Sequence, residues 1–155
     1  LLSDRKQNFL IPEYQRPYAW TEDQCQTLWD DLFSFTIPNE NYKAFDQNSE
    51  YFLGSIVYFP ENGKFEIIDG QQRLTTLMLL LRAFYDRFEF LKDDESQWIR
   101  KKIESCLWKT DEFGTANLND LKIDSEVATD NDKEEFLEIL KTGIVKDNQT
   151  SKSKR

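Results

Sequence analysis

The stretch Phe65-Glu66-Ile67-Ile68-Asp69-Gly70-Gln71-Gln72-Arg73-Leu74-Thr75-Thr76-Leu77 changes period at its middle. Its first four residues read as a β-strand that Asp69-Gly70 ends. From Gln71 the apolar residues recur at helical spacing, with Leu74, Leu77, Met78, Leu81, Phe84, Tyr85, Phe88 and Leu91 along one stripe. Leu79, Leu80 and Ala83 widen it, which predicts a helix covered on more than one side. Upstream, residues 51–59 read as a strand apolar on both faces and therefore central. The turn Pro60-Glu61-Asn62-Gly63 joins it to 65–68 as a hairpin.

Further out, Phe9-Leu10-Ile11 is a short extended run before a loop dense in proline and aromatics, Pro12 to Trp20. Thr21 and Gln24 form a capping-box pattern for a helix burying Cys25, Leu28, Trp29, Leu32 and Phe33. Residues 36–50 read as a long loop. A helix around 96–107 groups Trp98, Ile99, Ile103 and Leu107, and 121–124 reads as a short strand. Asp130 or Asp132 caps a last helix burying Phe136, Leu137 and Leu140, with Gly143 as its stop. Early strands and a helical second half make the chain α+β.

Composition narrows the chemistry. The 155 residues carry 20 Lys+Arg against 29 Asp+Glu, a net charge of −9, with no histidine and two cysteines. Without histidine there is no Ser-His-Asp triad, no Cys-His pair, no HNH centre and no His-built zinc site in these residues. The acidic balance argues against a nonspecific binder of phosphate backbones. Cys25 and Cys106 stand too far apart for a metal knuckle and read as reduced thiols of a cytoplasmic protein. The longest apolar run, Leu77 to Leu81, falls far short of the ~20 residues of a membrane span. Residues 1–145 read as one domain. Residues 146–155 are polar and read as a linker or the edge of a longer protein, and the first residue, Leu1, suggests a trimmed start.

Two segments look unlike packing: Ile11-Pro12-Glu13-Tyr14-Gln15-Arg16 and Ile68-Asp69-Gly70-Gln71-Gln72-Arg73. Each ends an apolar strand and sets polar groups on the exit turn, where a rigid scaffold commonly holds loop chemistry. Residues 1–80 contain twelve acidic side chains and six basic ones, and two of the six, Arg16 and Arg73, sit in these turns. A helix starting at Gly70 or Gln71 offers unpaired N–H groups and a partial positive charge suited to phosphate. Gly70 permits close approach, Arg73 can grip phosphate oxygens, and Gln71 and Gln72 supply amides. Asp69 would repel a phosphate unless Mg²⁺ bridged them; it then reads as metal ligand or as positioning an attacking water, with Gln71 or Gln72 orienting that water. Plainer readings stand beside these: Asp69 as N-cap with Gln72 completing a capping box, and Arg16 stacked on Tyr14, Tyr18 or Trp20. Trp20, Trp29 and Phe33 read as core.

The segments Ile11 to Trp20, Tyr51-Phe52-Leu53-Gly54-Ser55-Ile56-Val57 and Ile68 to Leu77, in this order, resemble the N-terminal domain of GmrSD-type restriction proteins. The resemblance is strong over residues 8–85 and implies a ParB/sulfiredoxin-like core with a small mixed sheet. It also implies a nucleotide-using module of modification-dependent or anti-phage restriction systems. The Asp-Gly-Gln-Gln-Arg motif of relatives is tied to nucleoside-triphosphate binding and hydrolysis that regulates DNA cleavage. Carried over, this marks Asp69, Gly70, Gln71, Gln72 and Arg73, faced by Gln15 and Arg16, with Mg²⁺ accompanying the nucleotide. An HNH-type nuclease domain, the family's usual companion, would lie elsewhere in the parent protein. Alternatives are a non-catalytic module that recognises DNA or senses nucleotide, and a ParB-like nuclease, which the −9 charge disfavours.

Overall fold

The computed structural model describes residues 2–4, 7–46, 48–127 and 133–145. Its centre is the shortest kind of strand. β1 (Phe9–Ile11) is buried along its whole length, running parallel to β3 (Lys64–Asp69) on one side and to β6 (Ile123–Ser125) on the other. β2 (Val57–Glu61) pairs antiparallel with β3, so the four-stranded sheet is mixed, in the order β2-β3-β1-β6. A separate hairpin of β4 (Trp108–Thr110) and β5 (Ala116–Leu121) completes the strands. The helices are α1 (Glu22–Thr36), α2 (Gln71–Phe88), α3 (Asp94–Leu107) and α4 (Lys133–Thr142). The α+β class and the small mixed sheet are those expected.

The expected hairpin is present, with Asn62 and Gly63 both at positive φ (48° and 77°), the requirement of a type I′ turn. Its first strand differs from expectation. Residues 51–56 form no strand, β2 starts only at Val57, and β2 lies at the sheet edge rather than its centre. Two local causes agree. Gly54 turns the chain at φ 89°, and Pro60 lacks the N–H that a central strand must donate. The aromatics that suggested two-sided burial serve elsewhere: Tyr51 meets Phe35 at 5.3 Å, and Tyr58 meets Phe65 edge-on at 4.8 Å.

α2 crosses the core as its period dictates, with Leu74 and Met78 fully buried and Tyr85 against Trp108. Ala83, by contrast, is exposed, Phe84 lies at the surface against Trp29 of α1 at 6.3 Å, and Leu91 lies beyond the helix end. In their place α2 buries Arg82, whose Nε donates to Ile139 O at 3.3 Å and whose guanidinium lies 3.1 Å from Asp86. This arginine ties α2 to the last turn of α4. That turn ends as expected at Gly143, at φ 73° with its N–H on Ile139 O (2.8 Å). The expected caps Asp130 and Asp132 lie outside the described residues.

α1 begins as its capping pattern predicts, Gln24 Oε1 accepting the Thr21 N–H at 2.9 Å. Its apolar stripe is the larger correction: only Leu28 is buried, while Trp29 and Phe33 remain 40% and 43% exposed and are not core. Trp98 of α3 is exposed as well. The loop 36–50 contains two 3₁₀ turns, Pro38–Glu40 and Tyr42–Ala44. The second half is less purely helical than its pattern suggests, because it supplies β4, β5 and β6. Lys122, between β5 and β6, is buried with Nζ donating to the carbonyls of Leu2 (3.0 Å) and Asp4 (2.6 Å). No helix of the described residues is long and apolar enough to cross a membrane.

Candidate functional site

β1 and β3 run parallel and side by side, so the turns leaving them emerge at the same sheet end. This brings the two polar motifs together. Gln15, Arg16, Asp69, Gly70, Gln71, Gln72 and Arg73 line one polar cleft of about 170 Å³, with Trp20 as a further wall. Every residue anticipated for the site is therefore in one place.

Side-chain amides join the motifs. Gln15 Nε2 donates to Ile67 O (3.1 Å) and Ile68 O (3.0 Å) at the end of β3. Reciprocally, Gln71 Nε2 donates to Arg16 O at 2.9 Å. Gln72 does the most: its Nε2 donates to Pro17 O (3.1 Å) while its Oε1 accepts from Ala19 N (2.6 Å) and Trp20 N (3.2 Å). Both glutamines of α2 are buried, Gln72 engaged as donor and acceptor and Gln71 as a donor. Tyr18 adds a hydroxyl contact to Thr76 at 2.8 Å and lies 3.4 Å from Cys25 Sγ. Burial, reinforced by the Cys25 contact and partly opposed by the Thr76 bond, pushes the Tyr18 phenol up to about 12. It stays neutral at any ordinary pH.

The start of α2 differs from a capping box. Gly70, at φ 87°, occupies the N-cap, no side chain caps the helix, and Asp69 closes β3 with its side chain exposed. Gln72, the would-be partner of such a box, instead holds the loop. The first N–H groups of α2 thus open on the cleft without a side-chain acceptor, the arrangement that favours an anion. Gly70 is required by more than its φ, since a Cβ there would stand 2.8 Å from Ser55 O.

Arg73 lies across residues 54–55, its Nη1 donating to Ser55 O at 2.9 Å. A Cβ on Gly54 would come within 2.7 Å of its guanidinium carbon, so only glycine leaves room for it. With one donor used, the guanidinium keeps others for a ligand. Arg16 is exposed, and the cations found over aromatic rings among the described residues are Lys43, Arg82, Arg100 and Lys102 rather than Arg16. Two arginines and a helix N-terminus face one carboxylate, a local positive balance in a chain of net charge −9. A group of three or more metal-ligating side chains is absent among the described residues. A lone Asp69 suits Mg²⁺ arriving with phosphates, which commonly uses one or two protein carboxylates, rather than a protein-built cage.

Sequence reasoning missed Gly54, Ser55 and Trp20 as parts of the site. A glycine inside an apolar run is itself a signal of close backbone approach, and Gly54 carried it. No curated protein matches the sequence. The family model of the GmrSD restriction endonuclease N-terminal domain matches residues 1–155, and the chain belongs to that family of restriction-system components.

Proposed function

We propose that this chain is a nucleoside-triphosphate-binding and hydrolysing module whose turnover regulates DNA cleavage by a nuclease region elsewhere in its cytoplasmic restriction system. The observation that carries this reading is the gathering of Arg16, Arg73 and an uncapped helix N-terminus around one cleft with a single carboxylate. In this reading the α2 N–H groups and Arg73 hold the phosphates, and Arg16 neutralises charge that develops as the terminal phosphoryl leaves. Asp69 would hold Mg²⁺ or orient the attacking water. Bound Mg²⁺ would supply neutralisation of phosphate charge. Gln15, Gln71 and Gln72 hold the Arg16 loop in register with Arg73, which leaves Asp69 as the polar cleft's candidate for a base.

Incubation of the purified chain with each nucleoside triphosphate and Mg²⁺ tests this. Phosphate release should fall by about 10²-fold or more in Arg73→Ala and in Asp69→Ala. Absent turnover, or turnover unchanged in both variants, overturns hydrolysis by this chain. A second reading, a non-catalytic nucleotide sensor, draws support from the same glutamine bonds: a phosphate drawing on Arg73 would tug the loop 12–20 that Gln72 holds. Binding without turnover, with DNA affinity that changes on nucleotide addition, selects the sensor.

A further inference from the structure

The polar cleft is small for a whole nucleotide, since pockets that enclose ligands of that size run to about 300–1,000 Å³. A second cavity of about 320 Å³ adjoins it and shares two walls with it, Trp20 and Arg73. Its floor is one face of α1: Gln24, Thr27, Leu28 and Asp31 follow the i, i+3, i+4, i+7 spacing that places side chains in a row. Tyr51 and Leu53 close the far side, and Tyr51 is fixed by its hydroxyl donating to Asp31 at 3.0 Å.

The lining has the composition a nucleoside needs. Two aromatic rings, Trp20 and Tyr51, and two leucines offer apolar surface for a flat heterocycle. Gln24, Thr27 and Asp31 offer hydrogen-bonding groups for a base edge and for sugar hydroxyls. Arg73 stands between the two cavities, where the junction of sugar and phosphate would fall. We propose that this cavity is the nucleoside subsite of the phosphate cleft, taking the base against Trp20 and Tyr51 with its N–H donors towards Asp31. The inference rests on the phosphate-binding reading above and adds to it where the rest of the ligand lies.

The test separates the two halves of the ligand. Affinities of inorganic tripolyphosphate and of nucleoside triphosphates, each with Mg²⁺, are measured by calorimetry on the whole chain. Wild type should bind at least one nucleoside triphosphate about tenfold or more tighter than tripolyphosphate, the scale of one base–aromatic stack. Thr27→Trp fills the cavity from an exposed helix position, and Leu53→Trp fills it from the opposite wall. Each should reduce nucleotide affinity to that of tripolyphosphate and leave tripolyphosphate within about twofold of wild type, with unchanged circular dichroism. Arg73→Ala should weaken both ligands. Equal weakening of both ligands by the filling variants, no weakening, or a wild type that does not distinguish the ligands overturns the subsite. Tripolyphosphate that fails to bind wild type overturns the phosphate reading, and the subsite with it.

Discussion

Gln72 shows why the site needs glutamine rather than a carboxylate of the same length. Its oxygen accepts two backbone N–H groups while its nitrogen donates to Pro17 O, and only an amide does both. Gln72→Glu keeps the acceptor but sets an anion against the Pro17 carbonyl. It should destabilise the chain by about 1–3 kcal/mol, read from urea unfolding. Tyr18 gives a pH signature. Its phenol is pushed from 10.0 up to about 12, so the folded chain holds that proton more tightly than the unfolded one. The stabilisation is complete below pH 10 and is lost as pH rises towards 12. Urea midpoints should therefore fall across that window, and less steeply in Tyr18→Phe. Some slope should persist, because burial also raises Tyr51 and Tyr85.

At the scale of elements, the turn at Gly54 acts on the chemistry of a helix seventeen and more residues away. Gly54→Ala places a Cβ against the Arg73 guanidinium and strains a φ of 89°. It should cost about 1–2 kcal/mol of stability and reproduce much of the loss of phosphate affinity expected for Arg73→Ala, measured by calorimetry with tripolyphosphate. The Phe65-to-Leu77 stretch was legible because strand and helix periods are written there with little competition, and both site motifs could be read from it and from residues 11–16. The segment 51–56 was not. Tyr51 packs onto Phe35 of α1 and Phe52 stays exposed, and periodicity registers apolarity without naming the partner. Trp29 and Phe33 were misread for the same reason: helical spacing marks a face but not what covers it. The β4–β5 hairpin was hidden by polar residues such as Asn117, Asn119 and Asp120, and it is fastened by a charge pair, Lys109–Asp120 at 2.7 Å.

For the molecule as a whole, β6 is as necessary as β1. Leu121, Ile123, Val127 and Leu140 all belong to the buried cluster around Phe9 and Met78. Deleting residues 122–155 exposes one side of β1 and removes part of that cluster, so the shortened chain should lose its cooperative urea transition even though both site motifs remain. The pairing of Phe9 with Ile123 has a temporal consequence too. A ribosome adds about 5–20 residues each second, so β1 waits many seconds for the partner that completes its burial. Glu126 N, which bonds Ile11 O at 2.8 Å just before the Arg16 loop, arrives later still. Through that interval the loop carrying Gln15 and Arg16 hangs from an unfinished strand. The cleft is thus backed by a finished strand only after residues 123–126 have been made, and the ligand proposed for it has no completed pocket to enter on the nascent chain before then.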